Sequence, residues 1–318
     1  MRPISAAAAL SAAALGLSPA VAHAENAPPV ARAAWIKGCY DKTLEDYAPC
    51  GHWRLLTKDG RQVTVHGAAT RAADANGDPT SEAGAFAISA DGRVLAYERA
   101  GDGRLVVQRV AGGPAKVLPK PTRARGADQV YLALSPAGDR VLVDYDEEHL
   151  PSKVITVATG RAVTLPAAYE PLGFSADGDE LLASRALGDN TTALYAHRLA
   201  GGSTRRTPPL VIANAHTYAL DSNGTTVAAF TSGPRIRTYD LKSGELSAGA
   251  DLPFKKGTEP TVGVWDADGR VSTTISTGEA RETAVVRVLT VDPATGEATQ
   301  ADKYSISRER HSFVVAGE

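Results

Sequence analysis

Five times along this chain an apolar stretch meets Ser or Asp, reaches Gly three positions later, and resumes as a second apolar stretch. The copies are Phe86–Tyr97, Leu132–Val143, Leu172–Ala183, Tyr218–Ala229 and Val262–Val271. Their turn glycines, Gly92, Gly138, Gly178, Gly224 and Gly269, are spaced 46, 40, 46 and 45 residues apart. A period of ~40–45 residues built from short strands is that of a four-stranded propeller blade. Each copy reads as a β-hairpin. Its apolar residues suit strands buried on both faces, and its glycine admits positive φ. Ser89, Ser135, Ser175, Asp221 and Asp266 each offer an oxygen to the N–H groups of the turn, which accounts for them without a catalytic duty.

A second hairpin follows each copy: Leu105–Leu118, Lys153–Leu165, Ala193–Pro208, Arg235–Leu252 and Ala284–Thr299, all turning on glycine. Two halves are left over. Trp53–Val65 is a hairpin of the second kind with no first kind before it. Tyr304–Ser307 and His311–Ala316 form a hairpin with nothing after it. In a closed ring the C-terminal hairpin supplies the inner strands, and Trp53–Val65 the outer strands, of one shared blade. The sequence therefore predicts an all-β, six-bladed β-propeller of four-stranded blades, closed by pairing N- and C-terminal strands so that sheet edges are protected. Seven blades is the alternative, and only Ala68–Ala85 has length to spare for it. That stretch is rich in Ala, Asp, Gly and Thr and reads as a loop.

Composition agrees. A hydrophobic content of 43% suffices for a core, while 30 Gly and 19 Pro punctuate the chain as many tight turns require. Lys+Arg 34 against Asp+Glu 36 leaves no single-signed field of the kind a nucleic-acid partner needs.

The N-terminus carries a separate instruction. Arg2, the apolar run Ala6–Leu17 and Ala22-His23-Ala24 form the three parts of a secretory signal. The run is too short for a membrane span. The expected organisation is a signal peptide at 1–24 cleaved near Ala24, an extension at 25–52 and a propeller at 53–318. The product is secreted, extracellular or periplasmic. Cys39 and Cys50 are the only two cysteines, and in an oxidising compartment they are expected to close a local disulfide.

The φ-x-φ-Ser-x-Asp-Gly pattern of Phe86–Gly92 and Leu172–Gly178 resembles the TolB-like propeller repeat, over roughly residues 53–318. The same repeat occurs in the propeller domains of prolyl-oligopeptidase-type enzymes. Departures are visible. The usual Pro between Ser and Asp is Ala90 and Ala176 here, and Pro136 is followed by Ala137 rather than Asp. The resemblance specifies architecture better than function. TolB itself also carries an α/β domain, for which 25–52 has no room, so its envelope complex does not carry over.

Neither of two enzyme classes finds its full residue set in this chain. The segment Gly173-Phe-Ser-Ala-Asp-Gly178 approaches the nucleophile elbow of α/β-hydrolases, but its second glycine comes one position late and it lies inside a repeat copy. A metal-dependent lactonase or esterase would need carboxylate, amide or His ligands converging over the channel. His52, His66, His149, His197, His216 and His311 are scattered. Asp74, Asn76 and Asp78 alternate as calcium ligands do, but Pro79 and Ala85 stand where an EF-hand loop needs Gly and Glu. A turn-rich loop is the plainer reading there, and no cofactor is expected other than calcium at this one place. No catalytic residue is assigned.

Geometry then ranks surfaces. Turns within hairpins lie on one face of a propeller, and the longer connections lie on the other, where binding residues gather. The candidates on that face are Arg123, Arg125, Asp144, Asp146, Glu147, Glu148 and His149, whose mixed charge suits a protein or polar ligand. Clustered acids need water, a cation or basic groups, and a solvated loop is the plainer reading of Asp144–His149. Asn190-Thr-Thr192 and Asn223-Gly-Thr225 match the glycosylation triplet. The expected function is non-catalytic binding or scaffolding, as a monomer, of a protein or cell-envelope component. Metal-dependent hydrolysis is the alternative, and a saccharide ligand a third reading.

Overall fold

The computed structural model describes residues 28–74, 76–121, 129–145, 149–188, 191–255, 257–279 and 281–318. Three strands open the chain: β1 (Ala31–Asp41), β2 (Asp46–Thr57) and β3 (Gln62–Val65). A short hairpin follows, β4 (Arg71–Ala73) with β5 (Pro79–Ala83). Blade one is β6 (Phe86–Ile88), β7 (Val94–Glu98), β8 (Arg104–Arg109) and β9 (Lys116–Pro121). Blade two is β10 (Val130–Leu134), β11 (Arg140–Tyr145), β12 (Lys153–Thr156) and β13 (Ala162–Thr164). Blade three is β14 (Glu170–Phe174), β15 (Glu180–Ala186), β16 (Thr192–Arg198) and β17 (Ser203–Arg206). One helical turn, α1 (Leu210–Ala213), precedes blade four: β18 (Thr217–Leu220), β19 (Thr226–Thr231), β20 (Arg235–Asp240) and β21 (Ala250–Asp251). Blade five is β22 (Val262–Trp265), β23 (Val271–Thr277), β24 (Ala284–Val291) and β25 (Ala298–Ile306), and β26 (Arg310–Val315) ends the series. Each blade is an antiparallel meander in chain order.

The sixth blade closes the ring in the order β26-β1-β2-β3. Val315 pairs with Ala33 and Phe313 with Trp35, and β1 pairs in turn with β2. The six-bladed, four-stranded ring is as the repeat implies, but the division of the closing blade differs. One C-terminal strand joins three N-terminal ones, rather than two joining two. Tyr304–Ile306 belongs to the outer strand β25 of blade five, and residues 31–41 form a strand inside the propeller instead of an extension before it. The reason lies in burial. Ala33 and Trp35 of β1 pack toward blade five, while Ala31, Ala34 and Ile36 pack toward blade one. A strand covered on both sides is apolar without alternation, so it carries no period-two signal. The stretch Ala68–Ala85, expected as a loop, forms the β4–β5 hairpin.

Closure is also visible in the core, which is divided into six apolar clusters. One lies at each of the six blade-to-blade boundaries, including that between blade five and the closing blade. Two tryptophans bolt such boundaries. Trp53 of β2, fully buried, stacks on Phe86 of blade one at 4.6 Å and donates its indole N–H to the Ala69 carbonyl at 3.1 Å. Trp265 of blade five donates to the Ala219 carbonyl of blade four at 2.9 Å. Truncating either to Ala would cost about 3–5 kcal/mol on the usual scale for core aromatics.

The repeat motif has a local explanation. Its five turn glycines hold φ between 68° and 78°. Ser89, Ser135 and Ser175 are fully buried. Their Oγ atoms accept the N–H of Val94, Arg140 and Glu180 at 3.0, 3.0 and 2.9 Å. Ser89 and Ser175 donate to Asp91 and Asp177 of the same turns. Where blade two has Ala137 instead of that Asp, Ser135 donates to Asp139 at 2.7 Å. The departure from the repeat is thus compensated two residues on.

Candidate binding face

In an antiparallel meander, turns between first and second strands, and between third and fourth, fall at one end. Connections between second and third strands, and from blade to blade, fall at the other. That second end carries the β1–β2 and β4–β5 connections, α1, and the segments joining β11 to β12 and β13 to β14. It is the long-connection face.

One structure stands out on it. β1 and β2 run past the blade as a two-stranded ribbon, since Gly38 makes the last backbone hydrogen bond toward the β25–β26 connection, to the Glu309 carbonyl at 2.9 Å. The Cys39–Cys50 disulfide staples this ribbon diagonally, since Cys39 pairs with Ala48 and Cys50 with Lys37, two registers away. Arg71 at the base of β4 clamps it from the side, bonding Asp41 at 2.6 Å and the Pro49 carbonyl at 3.0 Å. The Arg71 bond, with the Thr43 N–H, holds the Asp41 carboxyl below the usual carboxylate range. At the tip Tyr40 and Tyr47 meet edge to face at 5.9 Å, and the Arg281 guanidinium lies over Tyr47 at 4.3 Å. Tyr40 and Tyr47 remain 57% and 44% exposed, although Tyr is amphipathic and would bury readily.

The second feature is a cleft of about 740 Å³ between blades two and three, beside the mouth of the central channel. Tyr131 opens β10, Asp144 and Tyr145 end β11, Glu170 opens β14 and Arg185 lies near the end of β15, so antiparallel pairing alone brings them to one rim. Ser184 donates to Glu170 at 3.0 Å, and Ser152 donates to Asp144. Tyr131 donates to Gln129 at 2.6 Å and is 53% exposed as a residue. Tyr169 follows Ala168, a non-glycine residue at φ 69°. Its ring meets Tyr195 at 4.6 Å and His197 at 5.0 Å, with Arg185 over its face at 5.7 Å. Burial, aided by the Tyr195 hydroxyl, lifts the Tyr169 phenol above its ordinary value, so it stays protonated at neutral pH. The channel itself is lined mainly by aliphatic side chains and by Tyr218, whose phenol burial pushes up to about 12.

Of the residues expected to bind, Asp144 lines both the channel and the cleft, and His149 is exposed nearby in sequence. Arg123, Arg125, Asp146, Glu147 and Glu148 lie outside the described residues, as do the signal segment and Asn190 of the first glycosylation triplet. Asn223 of the second accepts the N–H of Thr225 and Thr226 within its turn. Asp74 Oδ1 accepts the N–H of Asn76 at 2.8 Å and of Asp78 at 2.9 Å, so turn chemistry occupies the calcium candidate. The Asp78 N–H is the main cause of a lowered Asp74 carboxyl pKa. Among the described residues no three His, Cys, Asp or Glu side chains gather as a metal-binding group. Sequence reading missed Tyr131, Tyr169, Glu170 and Arg185, which only the meander brings together. It also passed over Tyr40 and Tyr47, although their placement about the cysteines was a usable signal.

No protein-family model and no curated protein sequence matches this chain. In structure it is similar to a chain of a nidogen/laminin complex, with a TM-score of 0.50 and 11% identity over 88% of this chain and 95% of that one. It is also similar to a functionally unknown protein from Desulfotomaculum acetoxidans DSM 771, with a TM-score of 0.48 and 14% identity over 87% and 80% of the two chains. A third likeness is to a streptogramin B lyase, with a TM-score of 0.42 and 15% identity over 74% of each. At such identities the likeness concerns the propeller fold alone.

Proposed function

We propose that this is an exported, monomeric, non-catalytic binding or scaffold protein that engages a protein or cell-envelope component through its long-connection face. One observation carries the reading. Seven large hydrophobic residues are exposed among the described residues, and six of them, Tyr40, Leu44, Tyr47, Tyr131, Leu210 and Val211, lie on this face; only Val63, on an outer strand, does not. Exposed apolar side chains scattered at random need no explanation, but segregation to one face of a ring marks a surface that something covers. The rings are framed by Lys42, Arg281, Glu45 and Asp46, a mixed rim of the kind that gives partner specificity. The signal pattern before Ala24 and the Cys39–Cys50 bond both suit an oxidising compartment. The repeat itself supports a TolB-like type of propeller.

The test uses the mature protein, residues 25–318, immobilised against the envelope fraction of its own source. A partner retained by the wild type and by a Val63→Ser control, but lost from the triple variant Tyr40→Ser, Leu44→Ser, Tyr47→Ser, supports the reading. A partner held equally by the triple variant removes its basis. Metal-dependent turnover of a lactone panel would replace it with hydrolysis.

A further inference from the structure

The cleft between blades two and three is more than part of an apolar face. Its walls combine three phenols, Tyr131, Tyr145 and Tyr169, with two carboxylates, Asp144 and Glu170, and one guanidinium, Arg185. Its volume of about 740 Å³ falls within the ~300–1,000 Å³ of small-molecule clefts. From this mixture we infer that the cleft is a binding site for a neutral polyhydroxy ligand, a short saccharide of the envelope component that the proposed function invokes and on which this inference rests.

The chemistry is that of complementary exclusion. A polyanion entering the cleft meets Asp144 and Glu170, and a cation meets Arg185, so either sign is opposed somewhere along the wall. A sugar satisfies both. Its hydroxyls donate to the carboxylates and accept from the guanidinium and phenols, using charge-assisted bonds stronger than neutral ones. Its C–H faces cover aromatic rings, and half-exposed Tyr131 supplies apolar surface whose removal from water favours binding. The groups are also held in place. Glu170 is fixed by Ser184 at 3.0 Å, and Tyr169 by Tyr195 and by Arg185 over its face. Pre-orientation of this sort reduces the entropy lost when a flexible ligand binds.

The experiment is saturation-transfer NMR followed by titration of the mature protein with chitotriose, cellotriose and maltotriose, with hexalysine and inorganic sulfate as charged probes. At least one trisaccharide should bind, at least tenfold more weakly to Glu170→Gln and to Tyr131→Ala, and unchanged to Val63→Ser. Both cleft residues are exposed, and thermal melts of the variants should match the wild type. Failure of every trisaccharide, binding of hexalysine or sulfate alone, or affinity indifferent to both cleft variants overturns the inference. If the trisaccharides fail while the ribbon triple variant still loses its envelope partner, the proposed function stands without the saccharide site. If both fail, both fall.

Discussion

At the scale of single residues, the repeat glycines do two jobs that can be separated. A Cβ on Gly138 would run into the Val94 side chain of the preceding blade, whereas one on Gly269 would meet nothing within 4 Å. Both positions hold positive φ. Gly269→Ala should therefore cost only the left-handed backbone penalty, about 1 kcal/mol, while Gly138→Ala adds overpacking and should cost about 2–4 kcal/mol by urea denaturation. Equal costs would show that blade docking does not depend on this contact. His197 makes a different prediction. Its Nε2 is buried and finds no hydrogen-bond partner among the described residues, and burial lowers its pKa. The folded state then resists protonation while the unfolded chain accepts it. The contribution of His197 is therefore present above the ordinary histidine value and is lost as pH falls through the lowered one. Unfolding measured at pH 7 and pH 5 should show a steeper loss for the wild type than for His197→Phe, which keeps a ring against Tyr195.

At the scale of elements, the ribbon of β1 and β2 is the feature most dependent on covalent support. Past Gly38 it has a partner strand on one side only, so its free-standing part resembles an isolated hairpin, which is marginal in water. The disulfide closes a loop between residues 11 apart, and a loop of that order is worth roughly 3 kcal/mol in the chain-entropy account. The double variant Cys39→Ser, Cys50→Ser should lower stability by no more than that. It should also open the tip to tryptic cutting at Lys42, read by mass spectrometry of limited digests. Protection of Lys42 in that variant would mean that the Arg71 clamp alone holds the ribbon. The elements also show where sequence reading succeeds. Each hairpin announced by a glycine turn was legible, because turn chemistry is local. β1 was not, because its Ala and Trp residues face two neighbouring blades at once and its partners are β2 and β26.

For the whole molecule, stability depends on the ring being shut. β26 covers the inner edge of β1, and the cluster around Trp35, Tyr304 and Val315 spans the seam. Deleting residues 310–318 would uncover a strand edge and take Val315 and Phe313 out of that cluster, a change that invites edge-to-edge association. The truncated protein should lose its single cooperative melt and elute from a sizing column as concentration-dependent oligomers. A compact monomer with an unchanged melting temperature would show that the seam contributes little. The division of one strand against three also means that synthesis of the last residues completes a sheet begun by the first, so the native blade forms only after nearly the whole chain exists.

The candidate site divides along the same lines as the fold. The repeat period, the turn residues and the pair of cysteines are encoded over a few positions each, and they determined the blade, the number of blades and the disulfide. Which strands share the closing sheet, and which side chains face one another across a blade boundary, depend on contacts between residues far apart in sequence. Asp144 could be singled out because it sits in an acidic run. Tyr131, Glu170 and Arg185 sit in ordinary strand contexts, and only antiparallel pairing around a closed ring carries them to a common rim. Local backbone chemistry fixes the modules, and the burial of two faces per blade fixes how they assemble.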